Sequence, residues 1–235
     1  MTSKKTSKKI NSGGLKCSSI YPLTDAQADA FHFYSKDKNL ILYGSAGTGK
    51  TYISIGLGIL DVLNKDIVQD KLVIVRSCVP SRDVGFLPGS LEEKSAIYEL
   101  PYKQICSELF SRGDSYEILK QKNVINFITT SFVRGITLNN SIVIVDEFQN
   151  LTIEEIHTIM TRLGDNSRII FCGDTKQTDF GIGGKKQETS GFSKLLSIAS
   201  QIDSFTNIEF FQEDIVRSEL VKDWIIAKEK IDLRN

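Results

Sequence analysis

The segment Gly44–Thr51 (GSAGTGKT) constrains the fold of this chain more than any other feature of its sequence. It matches the pattern GxxxxGK[ST] without a gap, and it joins an apolar run of strand length to a helix-like segment at Lys50–Asn64. Glycines let the backbone of such a loop curl until successive N–H groups point inward, and the following helix adds partial positive charge. The pattern therefore predicts a phosphate-binding loop in a parallel α/β protein.

Every residue of this loop is a candidate nucleotide ligand. We expect Lys50 to reach the β- and γ-phosphates and the Thr51 hydroxyl to ligate magnesium. The alternative is a glycine-rich turn that binds nothing, which the flanking strand and helix disfavour. The predicted nucleotide-binding residues are Gly44, Ser45, Ala46, Gly47, Thr48, Gly49, Lys50 and Thr51.

The rest of the chain alternates short apolar runs with helix-like segments, which predicts an α/β fold of three layers with a mostly parallel sheet. Capping-box patterns predict helix starts at Thr24, Ser90 and Thr152, and Asp214–Lys230 is predicted to be a C-terminal helix. The predicted strands are Asn39–Tyr43, Lys71–Val75, Val124–Ile128, Ser141–Val145, Arg168–Cys172 and Phe205–Phe210.

Composition and charge set the broad class. The 235 residues include 29 basic and 29 acidic side chains, which suits one α/β domain. No apolar run approaches the roughly 18 residues of a membrane-spanning helix. We predict that residues 1–16 form a disordered basic tail and residues 17–235 a single domain. Without the five lysines of that tail, 24 basic face 29 acidic residues, so nucleic-acid binding through bulk charge is not expected.

The cysteines indicate a reducing compartment. Cys17, Cys78, Cys106 and Cys172 include no CxxC pair, and the chain has only 2 histidines, so a structural zinc site is not expected. The last three are interpreted as buried small hydrophobic residues. Scattered thiols and an N-terminus without an apolar signal core favour a cytoplasmic protein.

Two acids follow the predicted strand Ser141–Val145. The carboxyl ends of parallel strands face the ligand crevice, so Asp146 is expected to hold magnesium and Glu147 to polarise the water that attacks a γ-phosphate. Two solvated turn acids are the alternative, which the upstream phosphate-binding loop disfavours. A small-molecule kinase would need an arginine-rich lid, and none is evident.

Two glutamines are further candidates. Gln177 ends the segment GDTKQ after the strand Arg168–Cys172, where an amide can sense the γ-phosphate, although it could be an ordinary loop residue. Gln27 could bind adenine bidentately through its amide, or it could close the helix cap against Thr24. The residues alone leave both interpretations of Gln27 open.

Taken together, these motifs resemble the PhoH-like family of P-loop ATPases, which is related to the RecA-like core of superfamily-one helicases. The resemblance runs from Leu23 to the C-terminus and implies a RecA-like fold, ATP and Mg²⁺ as ligands, and a hexameric ring. The chain departs from the family at Ser77, where proline is usual, and at Phe148, where alanine is usual. The segments that carry the resemblance are Gly44–Thr51, Gly85–Lys94 (GFLPGSLEEK), Ser131–Asn140 (SFVRGITLNN), Ile142–Asn150 (IVIVDEFQN), Thr161–Asp179, Ser190–Leu195 and Asp214–Val221.

Arginines complete the list of candidates. An arginine finger accelerates γ-phosphoryl transfer by about a thousandfold or more. The chain has no room for a second RecA-like domain after the loop, so we expect a neighbouring subunit of a closed ring to supply the finger. Arg217, at the predicted start of the last helix, is the first candidate and Arg134 the second, while Arg162 and Arg76 are weaker. Arg134 could instead face nucleic acid.

Three functions remain. The first is an ATP-driven translocase or helicase on RNA or single-stranded DNA, supported by the DExQ and GDxxQ patterns, the basic tail, and Lys185 and Lys186. The second is an ATPase that remodels or gates another protein, which the acidic excess outside the tail keeps open. The third, a small-molecule kinase, is disfavoured by Glu147 and Gln177.

Overall fold

The computed structural model of the protein describes residues 15–77, 91–174 and 190–232. Six strands form one sheet in the spatial order β3-β2-β4-β5-β1-β6, and all five strand pairs are parallel. The strands are β1 Asn39–Gly44, β2 Lys71–Arg76, β3 Ile125–Thr129, β4 Ser141–Asp146, β5 Arg168–Asp174 and β6 Phe205–Phe210.

Helices connect these strands. Two short 3-10 helices, Phe148–Asn150 and Gln212–Asp214, follow the carboxyl ends of β4 and β6. The α-helices are α1 Asp25–Ser35, α2 Lys50–Leu63, α3 Leu91–Phe110, α4 Ser115–Gln121, α5 Thr130–Val133, α6 Ile153–Met160, α7 Phe192–Ala199 and α8 Glu219–Asp232. No helix within the described ranges is long and apolar enough to cross a membrane.

The sheet separates two hydrophobic clusters. Successive side chains of a strand point to opposite faces, so Leu40 and Leu42 of β1 join one cluster and Ile41 joins the other. Helices α1 to α4 cover the first face, and α5, α6 and α7 cover the second. The three-layer α/β fold with a parallel sheet is therefore confirmed, and both faces of its central strands are buried.

All six predicted strands are present. β6 has the predicted bounds, and the other five differ by one or two residues, mostly because they continue at their carboxyl ends. These extensions include Gly44, Arg76, Asp146 and Asp174, which are polar or glycine residues that an apolar pattern does not mark. The sheet thus reaches into the segments where the functional residues were expected.

The predicted start of the last helix is wrong. α8 begins at Glu219 and not at Asp214, because Gln212–Asp214 is a 3-10 helix and Val216 donates its backbone N–H to the carbonyl of Gly47 at 3.1 Å. The apolar residues of this segment also do not share one buried face. Ile215 is buried, whereas Leu220 and Trp224 are 79% and 72% exposed.

Leu15, which the prediction placed in the N-terminal tail, is buried in the cluster that α1 to α4 cover. Ser18 also donates its backbone N–H to Leu109. Cys106 and Cys172 are buried free thiols, as predicted, and Cys78 lies outside the described residues. Residues 1–14 are likewise outside them.

Local signals for helix starts were partly correct. Thr152 and Glu155 form the predicted capping box of α6, with both reciprocal hydrogen bonds present. At α1 only half of the box exists. Thr24 accepts a hydrogen bond from the backbone of Gln27, but the Gln27 side chain bonds elsewhere. Ser90 lies outside the described residues, one position before α3 begins.

Candidate functional site

Three strand ends meet at the candidate site. β5 lies between β1 and β4, and the strand register places Asp174 beside Gly44 and Cys172 beside Asp146. The loop after β1, the acidic end of β4 and the end of β5 therefore share one edge of the sheet. This edge is where parallel α/β proteins bind their ligands.

Glycines shape the loop as the sequence predicts. Gly44, Gly47 and Gly49 have φ angles of 126°, 74° and 80°, a region that other residues rarely adopt. A Cβ atom added at Gly44 would also overlap the carbonyl oxygen of Phe210, which accepts a hydrogen bond from the backbone of Ser45 at 2.8 Å. β6 thus supports the loop from the side opposite β5.

The first turn of α2 is arranged for an anion. Its N-cap residue, Gly49, makes no side-chain cap, and the first turn has no acidic residue. The early N–H groups of this helix are therefore free of side-chain capping, and their positive potential is not cancelled locally. These features fit a phosphate group at the loop.

Lys50 lies inside the loop and is only 5% exposed. Its ammonium is 2.7 Å from Oδ1 of Asp174 and donates to the carbonyl of Ser45 at 2.7 Å and to Oγ1 of Thr48 at 3.1 Å. Asp174 had no predicted role, although the GDTKQ segment that contains it was noted. In this arrangement the carboxylate of Asp174 neutralises the ammonium of Lys50, which was predicted to bind phosphate.

Thr51 and Asp146, the two predicted magnesium ligands, are brought together. The Thr51 hydroxyl donates to Oδ1 of Asp146 at 2.7 Å, and Asp146 is 4% exposed. Burial raises the pKa of Asp146, and the hydrogen bonds from Thr51 and Tyr102 and the nearby Arg76 oppose that rise. A hydroxyl and a carboxylate are hard oxygen donors of the kind that Mg²⁺ takes together with phosphate oxygens. The residues present therefore fit this ion.

Glu147 follows directly in the left-handed conformation, with φ 54° and ψ 40°. Its Oε2 accepts a hydrogen bond from the amide of Gln149 at 2.6 Å, and its Oε1 lies 3.9 Å from the guanidinium of Arg76. Burial and then the charge of Asp146 raise the pKa of Glu147, with smaller opposing contributions from Gln149 and Arg76. A raised pKa favours proton uptake, so the environment suits a general base.

Gln149 also belongs to the site, although no role was predicted for it from the sequence. It is fully buried, and its amide oxygen accepts the backbone N–H of Asp174 at 3.1 Å while its amide nitrogen holds Glu147. The hydroxyl of Ser190 donates to its backbone carbonyl at 2.7 Å. The DExQ spacing was its signal, but the sensing role was assigned to Gln177, which lies outside the described residues.

Gln27 contacts the loop from α1. Its amide donates to the carbonyl of Thr48 at 2.9 Å and accepts the backbone N–H of Leu23 at 2.8 Å, and the residue is 2% exposed. The side chain therefore does not close the cap on Thr24, although it stands at the loop. Adenine binding by Gln27 stays a prediction.

The two leading arginine candidates lie at very different places. A Cβ atom added at Gly47 would lie 3.1 Å from Cγ of Arg217, so this exposed arginine borders the loop of its own chain. Arg134 is exposed directly after α5, at the end of β3. Three strands separate β3 from β1, or roughly 19 Å at the usual strand spacing. Arg134 therefore follows an edge strand that lies on the far side of the sheet from the loop.

Comparison with known proteins gives consistent sequence matches. A family model described as "PhoH-like protein" matches residues 19–229. The PhoH-like protein of Bacillus subtilis is 35% identical over 188 residues, covering 80% of this chain and 57% of that protein. Protein PhoH of Escherichia coli is 31% identical over 205 residues, covering 86% of this chain and 56% of that protein. The chain thus spans little more than half the length of these relatives.

Solved structures give weaker matches. The large terminase of a thermophilic bacteriophage, in complex with ADP, matches at 12% identity with a TM-score of 0.47, covering 86% of this chain and 49% of that one. The Pif1 helicase of Candida albicans matches at 13% identity with a TM-score of 0.36, covering 82% of this chain and 41% of that one.

Proposed function

Since the chain belongs to the PhoH-like protein family, we propose that it is a Mg²⁺-dependent ATPase whose site is the edge formed by β1, β5 and β4. One observation carries this proposal. The hydroxyl of Thr51 lies 2.7 Å from Oδ1 of Asp146. Thr51 directly follows the buried Lys50, and Asp146 directly precedes Glu147. Groups for phosphate, metal and water therefore lie together.

Binding begins with the loop. The N–H groups of Gly44–Thr51 and of the first turn of α2 are suited to hold the β- and γ-phosphates. Lys50 is already buried beside them, so it can exchange its bonds to Asp174 and Ser45 for phosphate oxygens without a large movement. Asp174 then loses its partner, which makes it sensitive to whether phosphate is present.

Hydrolysis requires a metal-held phosphate and an activated water. Thr51 and Asp146 would hold Mg²⁺, which when bound offsets negative charge on the phosphate oxygens. Glu147 would orient the attacking water and accept its proton, aided by the burial that raises its pKa. Gln149 fixes the carboxylate of Glu147 and contacts the end of β5, so it joins the base to Asp174.

The replacement Glu147→Gln tests this function. The variant should bind ATP with near-normal affinity but release phosphate at least a hundredfold more slowly, since an amide cannot accept the proton. Phosphate release and equilibrium ATP binding are measured separately. Glu154→Gln, an exposed acid of α6, is the matched control and should hydrolyse ATP normally. Turnover close to wild type in Glu147→Gln would remove Glu147 from the role of base.

We further propose that the chain works as a closed head-to-tail ring, hexameric as the resemblance implies. Arg217 borders its own loop and is assigned to the nucleotide bound there. Arg134 is exposed after the edge strand β3, so we assign it to the nucleotide of the neighbouring subunit as the arginine finger. This reverses the order in which the sequence ranked the two arginines.

The ring is proposed to couple hydrolysis to movement along RNA or single-stranded DNA in the cytoplasm. Most of the basic tail and both Lys185 and Lys186 lie outside the described residues, so the support is the family and the DExQ and GDxxQ patterns. ATP hydrolysis is measured with and without single-stranded RNA or DNA at two salt concentrations. Stimulation that declines with salt supports this proposal. Hydrolysis that no nucleic acid changes would instead favour an ATPase that remodels another protein.

A further inference from the structure

Both carboxylate oxygens of Asp146 have a side-chain partner. Oδ1 accepts a hydrogen bond from Thr51, and Oδ2 accepts one from the phenol of Tyr102 at 2.8 Å. Thr51 belongs to the helix that follows the phosphate-binding loop, whereas Tyr102 belongs to α3. Tyr102 lies outside the segments that carry the family resemblance.

Packing fixes the position of Tyr102. The residue is completely buried, and it shares one face of α3 with Cys106 and Leu109 in the same hydrophobic cluster. Its ring centroid lies 5.8 Å from that of Phe127 on β3. A phenol held in this way has little freedom to move its hydroxyl away from Asp146.

α3 is also anchored three residues earlier, at the buried Glu99. The phenol of Tyr116 donates to Oε2 of Glu99 at 2.7 Å, and the ammonium of Lys120 lies 2.6 Å from the same atom. These contacts tie α3 to α4 and hold it against rotation about its axis. The Tyr102 hydroxyl is therefore a donor at a fixed point.

Arg76 connects Tyr102 with the second acid. Burial raises the pKa of the Tyr102 phenol and the charge of Arg76 opposes that rise, while the Arg76 guanidinium lies 3.9 Å from Oε1 of Glu147. Because an ionised carboxylate can only accept a hydrogen bond, the phenol directs its own proton toward Asp146. In this hydrogen bond Tyr102 is therefore the donor and Asp146 the acceptor.

We propose that Tyr102 is a positioning residue that decides which oxygen of Asp146 faces the metal. The two oxygens of an ionised carboxylate are equivalent, and a fixed donor on Oδ2 leaves Oδ1 beside the Thr51 hydroxyl, where the second ligand lies. This inference rests on the proposed function, because it presupposes a metal at Thr51 and Asp146. Partners of this kind commonly change metal affinity tenfold to a hundredfold.

The test is Tyr102→Phe, with Mn²⁺ as a paramagnetic probe in place of Mg²⁺. Mn²⁺ affinity is measured by electron paramagnetic resonance in the presence of ADP. The expected result is a dissociation constant about tenfold higher than in the wild type. ADP affinity in the presence of a chelator should be unchanged, since the loop itself is intact.

Tyr116→Phe is the matched control. It also removes one phenol hydroxyl from the same hydrophobic cluster, and its lost bond is to Glu99 rather than to Asp146. Both variants keep the volume of the ring, so both should remain folded with a similar decrease in melting temperature. An unchanged Mn²⁺ affinity in Tyr102→Phe would overturn the inference, as would an equal loss in both variants.

Asp146→Asn separates this inference from the proposed function. Loss of Mn²⁺ binding in Asp146→Asn together with wild-type binding in Tyr102→Phe would overturn only the role of Tyr102. Wild-type Mn²⁺ binding in Asp146→Asn would overturn the metal site itself and with it the proposed function.

Discussion

The centre of the sheet and its β3 edge present their polar groups in opposite ways. Around β1, β5 and β4, the side chains of Lys50, Thr51 and Asp146 are bonded to one another or to close neighbours. At the end of β3, Arg134 is exposed between Phe132 and Ile136, which are 55% and 39% exposed. The first region is a site already assembled within one chain, whereas the second carries a cation and apolar surface that lack cover in the described part of the chain.

This contrast is consistent with the proposed division of the site between neighbouring subunits. Phosphate and metal binding need groups fixed to a fraction of an ångström, and one chain supplies them from neighbouring strand ends. A finger needs only to arrive when the subunits are assembled, so it can remain exposed until then.

Lys50→Ala should produce the largest effect. The replacement removes the buried cation that the first region is built around and leaves Asp174 without its partner at 2.7 Å. We expect ATP binding to weaken by at least a hundredfold, as measured by equilibrium titration, with no detectable phosphate release. Lys38→Ala, at the opposite end of β1, is the control and should bind ATP normally. Residual binding close to wild type would mean that the loop holds phosphate through its backbone alone.

Arg134→Ala should produce the second-largest effect and tests the division between the two regions. Hydrolysis should decrease by about a thousandfold while ATP binding is kept, because the finger contributes in the transition state. Mixing this variant with Lys50→Ala should restore part of the activity, since each chain supplies what the other lacks.

Arg217→Ala is the matched comparison for that mixing experiment. Its side chain borders the loop of its own chain, so a mixture with Lys50→Ala should stay inactive if Arg217 is required. Rescue of Arg217→Ala and none of Arg134→Ala would exchange the two assignments. Rescue of neither, in a chain that runs as a monomer on sedimentation, would contradict the ring.

The sequence predicted most of the first region because its signals are local. Gly44–Thr51 is contiguous, and Asp146 and Glu147 follow an apolar run directly. Near-continuous apolar runs also located all six strands to within two residues. Where a structural feature depends on residues that are adjacent in the sequence, the sequence pattern was sufficient to predict it.

Partners that are distant in sequence could not be predicted in this way. Tyr102 is 44 residues from Asp146, and their contact depends on how α3 packs against the sheet. A buried tyrosine usually finds a hydrogen-bond partner, but this rule does not identify which residue the partner is. Arg217 was placed in a helix because apolar residues at helical spacing continue upstream of α8, but docking of Ile215 and Val216 on the loop prevents a helix there.

Asp174→Asn should produce the smallest effect, and it tests the balance of charge within the first region. In the chain without nucleotide, the carboxylate of Asp174 competes with phosphate for Lys50, so its neutral replacement should favour the phosphate. We expect the dissociation constant of ADP to fall by about threefold to tenfold, corresponding to about 1 kcal/mol for a partly exposed ion pair. Isothermal titration calorimetry measures it, with the exposed Asp165→Asn as a control for net charge. Weaker binding in Asp174→Asn would show instead that Asp174 holds Lys50 in the position that phosphate requires.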